Sequence, residues 1–296
     1  MTDRITMETN EAFVEVVPRL GGSVSAFDVK TKGKALPILR RWTGESENPR
    51  GLGSSPMVPW FNRISGGGIN FGGKFHPIAP NDPQEPVPLH GDGWSSAWEV
   101  IEHKRDRIEL KLRSKAIPPF DYEAIQVLKL EGATLDMGLR VKHLGQFPFP
   151  YGLGQHPWFV RTPGVRLQAH ATGMWLEQPP AFPAKTEPAP IPAKWDFNQP
   201  KALPDDFIDN GYAGWDGRAR IDWTDRGIAV DMEADPGTRF YHVYSLDKDC
   251  PIFCFEPVTN PNNAFGKPGT PEANGLRVLA HGAETSMRMR LKVTVT

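Results

Sequence analysis

A chain of 296 residues with 34 basic against 35 acidic side chains has a formal net charge of −1, and 39% of it is hydrophobic. That balance describes a globular protein rather than a disordered one, and it leaves no broad cationic surface for nucleic acid or anionic lipid. No apolar run approaches the roughly 18 residues of a membrane span, and the opening MTDRITMETNEAFVEVV lacks the apolar core of a signal peptide, so a cytoplasmic protein is expected.

With 29 Gly and 30 Pro, the chain is punctuated into short segments. A strand is predicted at 13–17. Ile69-Asn70-Phe71, Gly72-Gly73 and Lys74-Phe75-His76 then read as a tight hairpin, because the glycines tolerate the positive φ of a primed turn. Further strands follow at 97–102, 107–113, 122–130 and 134–142. Ile108, Leu110 and Leu112 alternate with Arg107, Glu109, Lys111 and Arg113, while Leu135, Met137, Leu139 and Val141 alternate with Thr134, Asp136, Arg140 and Lys142. A period of two buries one face and wets the other. The Pro-rich stretch 177–206 reads as a long excursion over one surface, since the alternation has the same character on both sides of it. Strands resume at 218–223, 227–232 and 239–245. The closing segment alternates Met287, Met289, Leu291, Val293 and Val295 with Arg288, Arg290, Lys292 and Thr294. No long amphipathic helix and no internal repeat is evident. The expected architecture is all-β and antiparallel, a large β-sandwich in one domain spanning 1–296.

Cys250 and Cys254 lie in an extended-looking CPIFC. Their Cα atoms would stand about 13 Å apart at roughly 3.3 Å per residue, beyond the ~7 Å a disulfide tolerates. Two buried, reduced thiols are expected, and no further ligand stands at a recognisable metal-site spacing. Among eight histidines, His103 and His143 end strands among charged residues and are expected in solvent. His90, in Pro88-Leu89-His90-Gly91-Asp92-Gly93-Trp94, and His156, in Gly154-Gln155-His156-Pro157-Trp158-Phe159, are expected on irregular backbone beside indoles, with Pro157 blocking regular ladder pairing. Such imidazoles suit proton donation to a sugar; the plainer reading is a hydrogen-bonded turn histidine. Glu256 follows Ile252-Phe253-Cys254-Phe255, so its carboxyl is expected at a strand end, either partly desolvated with a raised pKa or simply in water. Arg63, flanked by Trp60, Phe61 and Asn62, offers a planar fork to vicinal hydroxyls or to a structural ion pair.

Taken in order, NRISGGGINFGG (62–73), LHG (89–91), GLGQHPWF (152–159), the IDNGYAGWDG region (208–217) and FEPVTNPNNAFG (255–266) resemble the aldose 1-epimerase (galactose mutarotase) family. Weaker likeness runs from PRLGGSVSAF (18–27) to the closing strand. The resemblance implies a large twisted sandwich with an open sugar cleft on one concave sheet face. It implies Glu256 as general base toward the anomeric hydroxyl, His156 as general acid toward the ring oxygen, and His90 as a hydrogen-bond partner at the same end of the sugar. Arg63 and Asp209 would hold ring hydroxyls, with Asp205, Asp206 and Asp216 as close rivals of Asp209; Asn62 falls within the first motif. Trp158 stands where the family more often has tyrosine. Residue chemistry adds Trp94 and Trp215 as candidate stacking surfaces for a pyranose.

Exchanging anomers requires no metal and no redox cofactor, only a base and an acid on opposite sides of the C1–O5 bond. The expected partner is one monosaccharide, hexose or pentose, bound by a monomer or weak homodimer, with no nucleic acid and no membrane. One rival is a sugar-phosphate 1-epimerase, which needs several convergent cations; only Arg63 stands near the motifs, which favours an unphosphorylated aldose. Others are a non-catalytic carbohydrate-binding protein of the same fold and a glycosidase, whose second carboxylate would stand about 5–10 Å from the first.

Overall fold

The alternating segments form two large antiparallel sheets facing one another. The computed structural model describes residues 4–31, 33–45, 47–178, 182–183 and 187–295, and among these there are three single-turn 3₁₀ segments and no α-helix. One sheet has nine strands in the order Lys201–Ala202, Val165–Ala169, Arg218–Trp223, Ile228–Ala234, Glu284–Val295, Thr134–His143, Tyr122–Glu131, Arg107–Ser114 and Glu99–His103. The other runs Ile5–Glu8, Ala12–Val17, Ser23–Thr31, Ser54–Met57, Gly154–Val160, Ile252–Val258, Phe240–Ser245, Ile208–Ala213 and Gly173–Trp175, with Lys34–Pro37 paired to Ser23–Thr31 as a tenth strand.

The period of two explains which residues meet. Met137 lies opposite Met289 and Leu139 opposite Met287, so the apolar rows of neighbouring strands align on one face and are buried. On the wet face, Asp136 accepts from Arg288 Nε at 2.7 Å and from Arg290 Nε at 3.3 Å. Phe159, Phe253, Phe255, Val243 and Tyr241 supply the facing layer from the other sheet and join the same core cluster. Each such side chain stabilises the fold by about 1.5–3 kcal/mol on full burial. The predicted hairpin forms between Gly68–Phe71 and Lys74–Pro77, with Gly72 and Gly73 at φ 60° and 73°.

Three expectations are corrected. His143 is 1% exposed, because Tyr151 Oη at 2.8 Å and the Phe147 carbonyl at 2.8 Å take both ring nitrogens into the interior. His103 is exposed as expected. Cys254 is buried but Cys250 only half-buried, being placed before the strand begins. The 177–206 stretch is more than a surface excursion: Phe197 is fully buried and Lys201–Ala202 forms an edge of the nine-stranded sheet. Within that stretch, residues 179–181 and 184–186 lie outside the described residues.

Candidate active site

The register of four strands lays out a cleft floor on the outer face of the ten-stranded sheet. Along Gly154–Val160, His156, Trp158 and Val160 alternate with buried Gln155, Pro157 and Phe159. His156 therefore occupies a regular strand, not the irregular backbone expected from Pro157, which pairs with Ser54 on the edge facing Ser54–Met57. Gly154 lies opposite Val258 and Trp158 opposite Cys254, which brings Glu256 beside His156. His242 is opposite both Glu256 and, on its other side, Gly211; Tyr244 is opposite Cys254 and Asp209. Two adjacent rows result. One reads His156, Glu256, His242, Gly211, and the next reads Trp158, Cys254, Tyr244, Asp209. Above them is a cavity of about 170 Å³, smaller than the roughly 300–1,000 Å³ of drug-sized pockets and suited to a smaller molecule.

Two loops make the wall. The Leu89 segment bridges to Arg63, His90 N–H donates to the Asn62 carbonyl at 3.1 Å, and Gly91 bridges to Val58. The Asn62 amide donates to His90 Nδ1 at 3.1 Å. A neutral ring then carries its proton on Nε2, which makes His90 a donor. Asp92 secures the loop from behind, accepting from Tyr122 Oη at 2.6 Å and from Ser114 Oγ. His90 has φ 56° and Gly91 φ 70°, and a Cβ on Gly91 would lie 2.2 Å from the Val58 carbonyl oxygen. Gly91→Ala is therefore expected to cost about 1–3 kcal/mol in strained backbone alone, with activity falling further as His90 shifts. Denaturant unfolding and an activity assay on the same sample check both.

Burial sets the charges. Glu256 is 3% exposed, and its Oε2 has no partner among the described residues. Desolvation, reinforced by the Asp209 charge, pushes its carboxyl well above the usual carboxylate range. Glu256 Oε1 is 3.5 Å from His156 Nε2. The histidine is pulled down to about 3 by burial and then by the Arg40 and His242 charges. His90 is likewise driven well down, by burial first and by His156 second. Each group is therefore shifted toward its uncharged form. Burial opposes the Asp209 charge, yet the His242 hydrogen bond keeps its carboxyl below the ordinary value.

A family model described as aldose 1-epimerase matches residues 3–292. The chain belongs to the aldose 1-epimerase family. It is 34% identical over 244 residues to the uncharacterised protein YphB of Escherichia coli K12, covering 80% of this chain and 82% of that one. A crystal structure of a candidate aldose 1-epimerase from E. coli K12 superposes with a TM-score of 0.91 at 30% identity, over 99% of each chain. A galactose mutarotase-like protein from Clostridium acetobutylicum superposes at 0.86 and 18% identity, covering 98% of this chain and 95% of that one, and shows the fold alone.

Against this family's motifs, Glu256, His156, His90, Asn62, Arg63, Asp209 and Trp158 all line the one cavity. Asp205 lines a separate pocket with Arg161 and Lys248, Asp206 pairs with Lys194 at 2.6 Å and Asp216 caps the Arg218 amide, which leaves Asp209 as the aspartate in the cleft. Trp94 is set beside His90, with ring centroids 6.3 Å apart, but is only 7% exposed and lies outside the lining of this cavity, in an adjoining pocket of about 40 Å³ shared with His90 and His156. Trp215 is a correction. It packs against Tyr241 and Phe255 on the core side, and its Nε1–H donates to the Arg218 carbonyl at 2.7 Å, so it offers no surface to a sugar. Glu256 is also deeper than a strand-end residue, lying inside Ile252–Val258. The sequence does not single out Arg50, Glu85, His242 or Tyr244, which share the cavity. His242 and Tyr244 were accessible through the alternation of Phe240–Ser245; Arg50 and Glu85 come from loops that carry no periodic signal. His156, Cys254 and Glu256 bring donor atoms within 4.8 Å of one another. Burial, reinforced by the Glu256 charge, pushes the Cys254 thiol well up.

Proposed function

We propose that the protein is an aldose 1-epimerase acting on an unphosphorylated monosaccharide, with Glu256 and His156 as the proton-transfer pair. The observation that carries this reading is the 3.5 Å placement of Glu256 Oε1 and His156 Nε2 side by side on the floor of a monosaccharide-sized cleft. The anomeric hydroxyl and the ring oxygen are bonded to one carbon. A base and an acid standing together therefore reach both from one edge of the ring, rather than from opposite sides of the C1–O5 bond.

The ionised Glu256 removes the O1 proton as the C1–O5 bond breaks, and its electrons pass to O5, which takes a proton from the His156 imidazolium. An aldehyde and a C5 hydroxyl result. Rotation about C1–C2 turns the other carbonyl face to O5, and the reversed transfers close the ring and restore both groups. The working ion pair carries the same single proton as the neutral pair that burial favours, so a sugar hydroxyl donating to the carboxylate has only to relocate it. His90 Nε2–H adds a fixed donor beside the oxygens whose charge develops. Arg63 meets Glu85 through Nε at 2.9 Å and Nη2 at 2.8 Å, and Arg50 meets Asp82 at 2.7 Å. Both cations are matched by carboxylates, which supports a neutral sugar over a phosphorylated one.

The test dissolves pure α-D-galactose, α-D-glucose and α-D-xylose separately and follows optical rotation with and without the protein. At least one sugar should reach anomeric equilibrium much faster with protein present. Sugar binding without any acceleration across the panel would leave a carbohydrate-binding protein instead.

A further inference from the structure

His242 takes no part in the proton transfers, yet it is 2% exposed on the cleft floor, directly opposite Glu256. Its other cross-strand neighbour, Gly211, has no side chain to hold it, and its ring leans to the next row, where Nε2 lies 2.6 Å from Asp209 Oδ1. Phe61 covers it with ring centroids 5.7 Å apart. Asp209 is buried too, at 12% side-chain exposure, but it lines the cavity, so a ligand can reach the carboxylate.

We infer that His242 is a positioning residue for sugar recognition: its Nε2–H holds Oδ1 of Asp209 and thereby aims the carboxylate's second oxygen at a ring hydroxyl. The inference rests on the cleft being the sugar site but not on catalysis. A carboxylate in a desolvated floor turns toward whatever donor it has, and without His242 the described donors to Asp209 Oδ1 are gone. Its charge would then also stand uncompensated near Glu256, which Asp209 already pushes up. A carboxylate fixed at one oxygen accepts in one direction, which is how a single hydroxyl position becomes selective.

The experiment measures dissociation constants calorimetrically and KM and kcat by polarimetry, using D-galactose, D-glucose, D-xylose and the 2-deoxy and 6-deoxy hexoses. His242→Gln keeps an N–H at the reach of Nε2, and His242→Asn is equally polar but too short. The Asn variant should weaken binding of the parent sugar about 10- to 100-fold, the size expected for a hydrogen bond to a charged group, with a smaller change in kcat. The Gln variant should recover most of that loss. The loss should not add to that of Asp209→Asn in the double variant, and both should shrink on the same deoxy sugar. Equal behaviour of the Gln and Asn variants, additive losses, or an unchanged dissociation constant in the Asn variant would overturn the inference. Sugars that bind with this coupling but are not epimerised would refute the proposed activity alone; a panel in which none binds would refute both.

Discussion

Glu256→Gln is expected to remove about 10²–10⁴-fold of the catalysed rate while making the fold more heat-stable near neutral pH. Glutamine copies the shape and cannot take the O1 proton, so kcat falls with little change in KM. The stability gain follows from burial. Folding raises the Glu256 pKa above its unfolded value, so between those two values the folded state holds a proton that the unfolded state has released. The fold is then favoured below the unfolded pKa and loses that advantage as pH rises toward the folded one. Glutamine has no proton to lose. The variant's melting temperature should exceed the parent's at pH 7, and the gap should close below about pH 4.5, the unfolded carboxyl value. Activity and thermal melts from pH 4 to 8 measure both. A variant less stable than the parent at pH 7 would mean that the carboxyl is ionised and satisfied in the folded protein, against the orphaned Oε2. Full activity would remove Glu256 from the chemistry.

The sandwich was legible because its strands obey one simple rule. Where a strand has one wet face, as in Arg107–Ser114 and Thr134–His143, charged residues alternate with apolar ones and the strand announces itself. Ser23–Thr31 is buried on both faces over most of its length, and its Ser, Val, Ala and Phe carry no such contrast. The cleft strands are harder for the same reason. Their outward positions hold imidazole, thiol, carboxyl and indole groups that are covered by loops, so His156 in its Pro-containing strand looks like turn chemistry until Ser54–Met57 is seen paired beside it. Motif order pointed to Glu256 and His156 as candidates, but their adjacency is a property of register, set by the Trp158–Cys254 and Gly154–Val258 pairings. Trp215 shows the converse. An indole near a motif looked available for stacking, and the core took it, because its Nε1–H finds the Arg218 carbonyl there.

His156→Gln should also lose about 10²–10⁴-fold in kcat, and the double variant with Glu256→Gln should be little worse than either single one, since groups that pass one proton between them fail together. The imidazole carries its own signature in stability. Its pKa is pulled to about 3 in the fold by burial and then by the Arg40 charge, whereas an unfolded histidine titrates near 6.5. As pH falls from 6.5 toward 3, the unfolded chain gains a proton that the folded chain refuses, and stability declines across that window. Glutamine at 156 removes this component, so the variant's melting temperature should fall less steeply between pH 6.5 and 4 than the parent's. Glu256 has the opposite sign, and the two variants should therefore diverge from the parent at opposite ends of the pH range. Superimposable melting curves for parent and His156→Gln would show that His156 binds its proton as readily folded as unfolded. Burial would then leave the imidazole's proton affinity unchanged, and the preference of the pair for its uncharged form would rest on Glu256 alone.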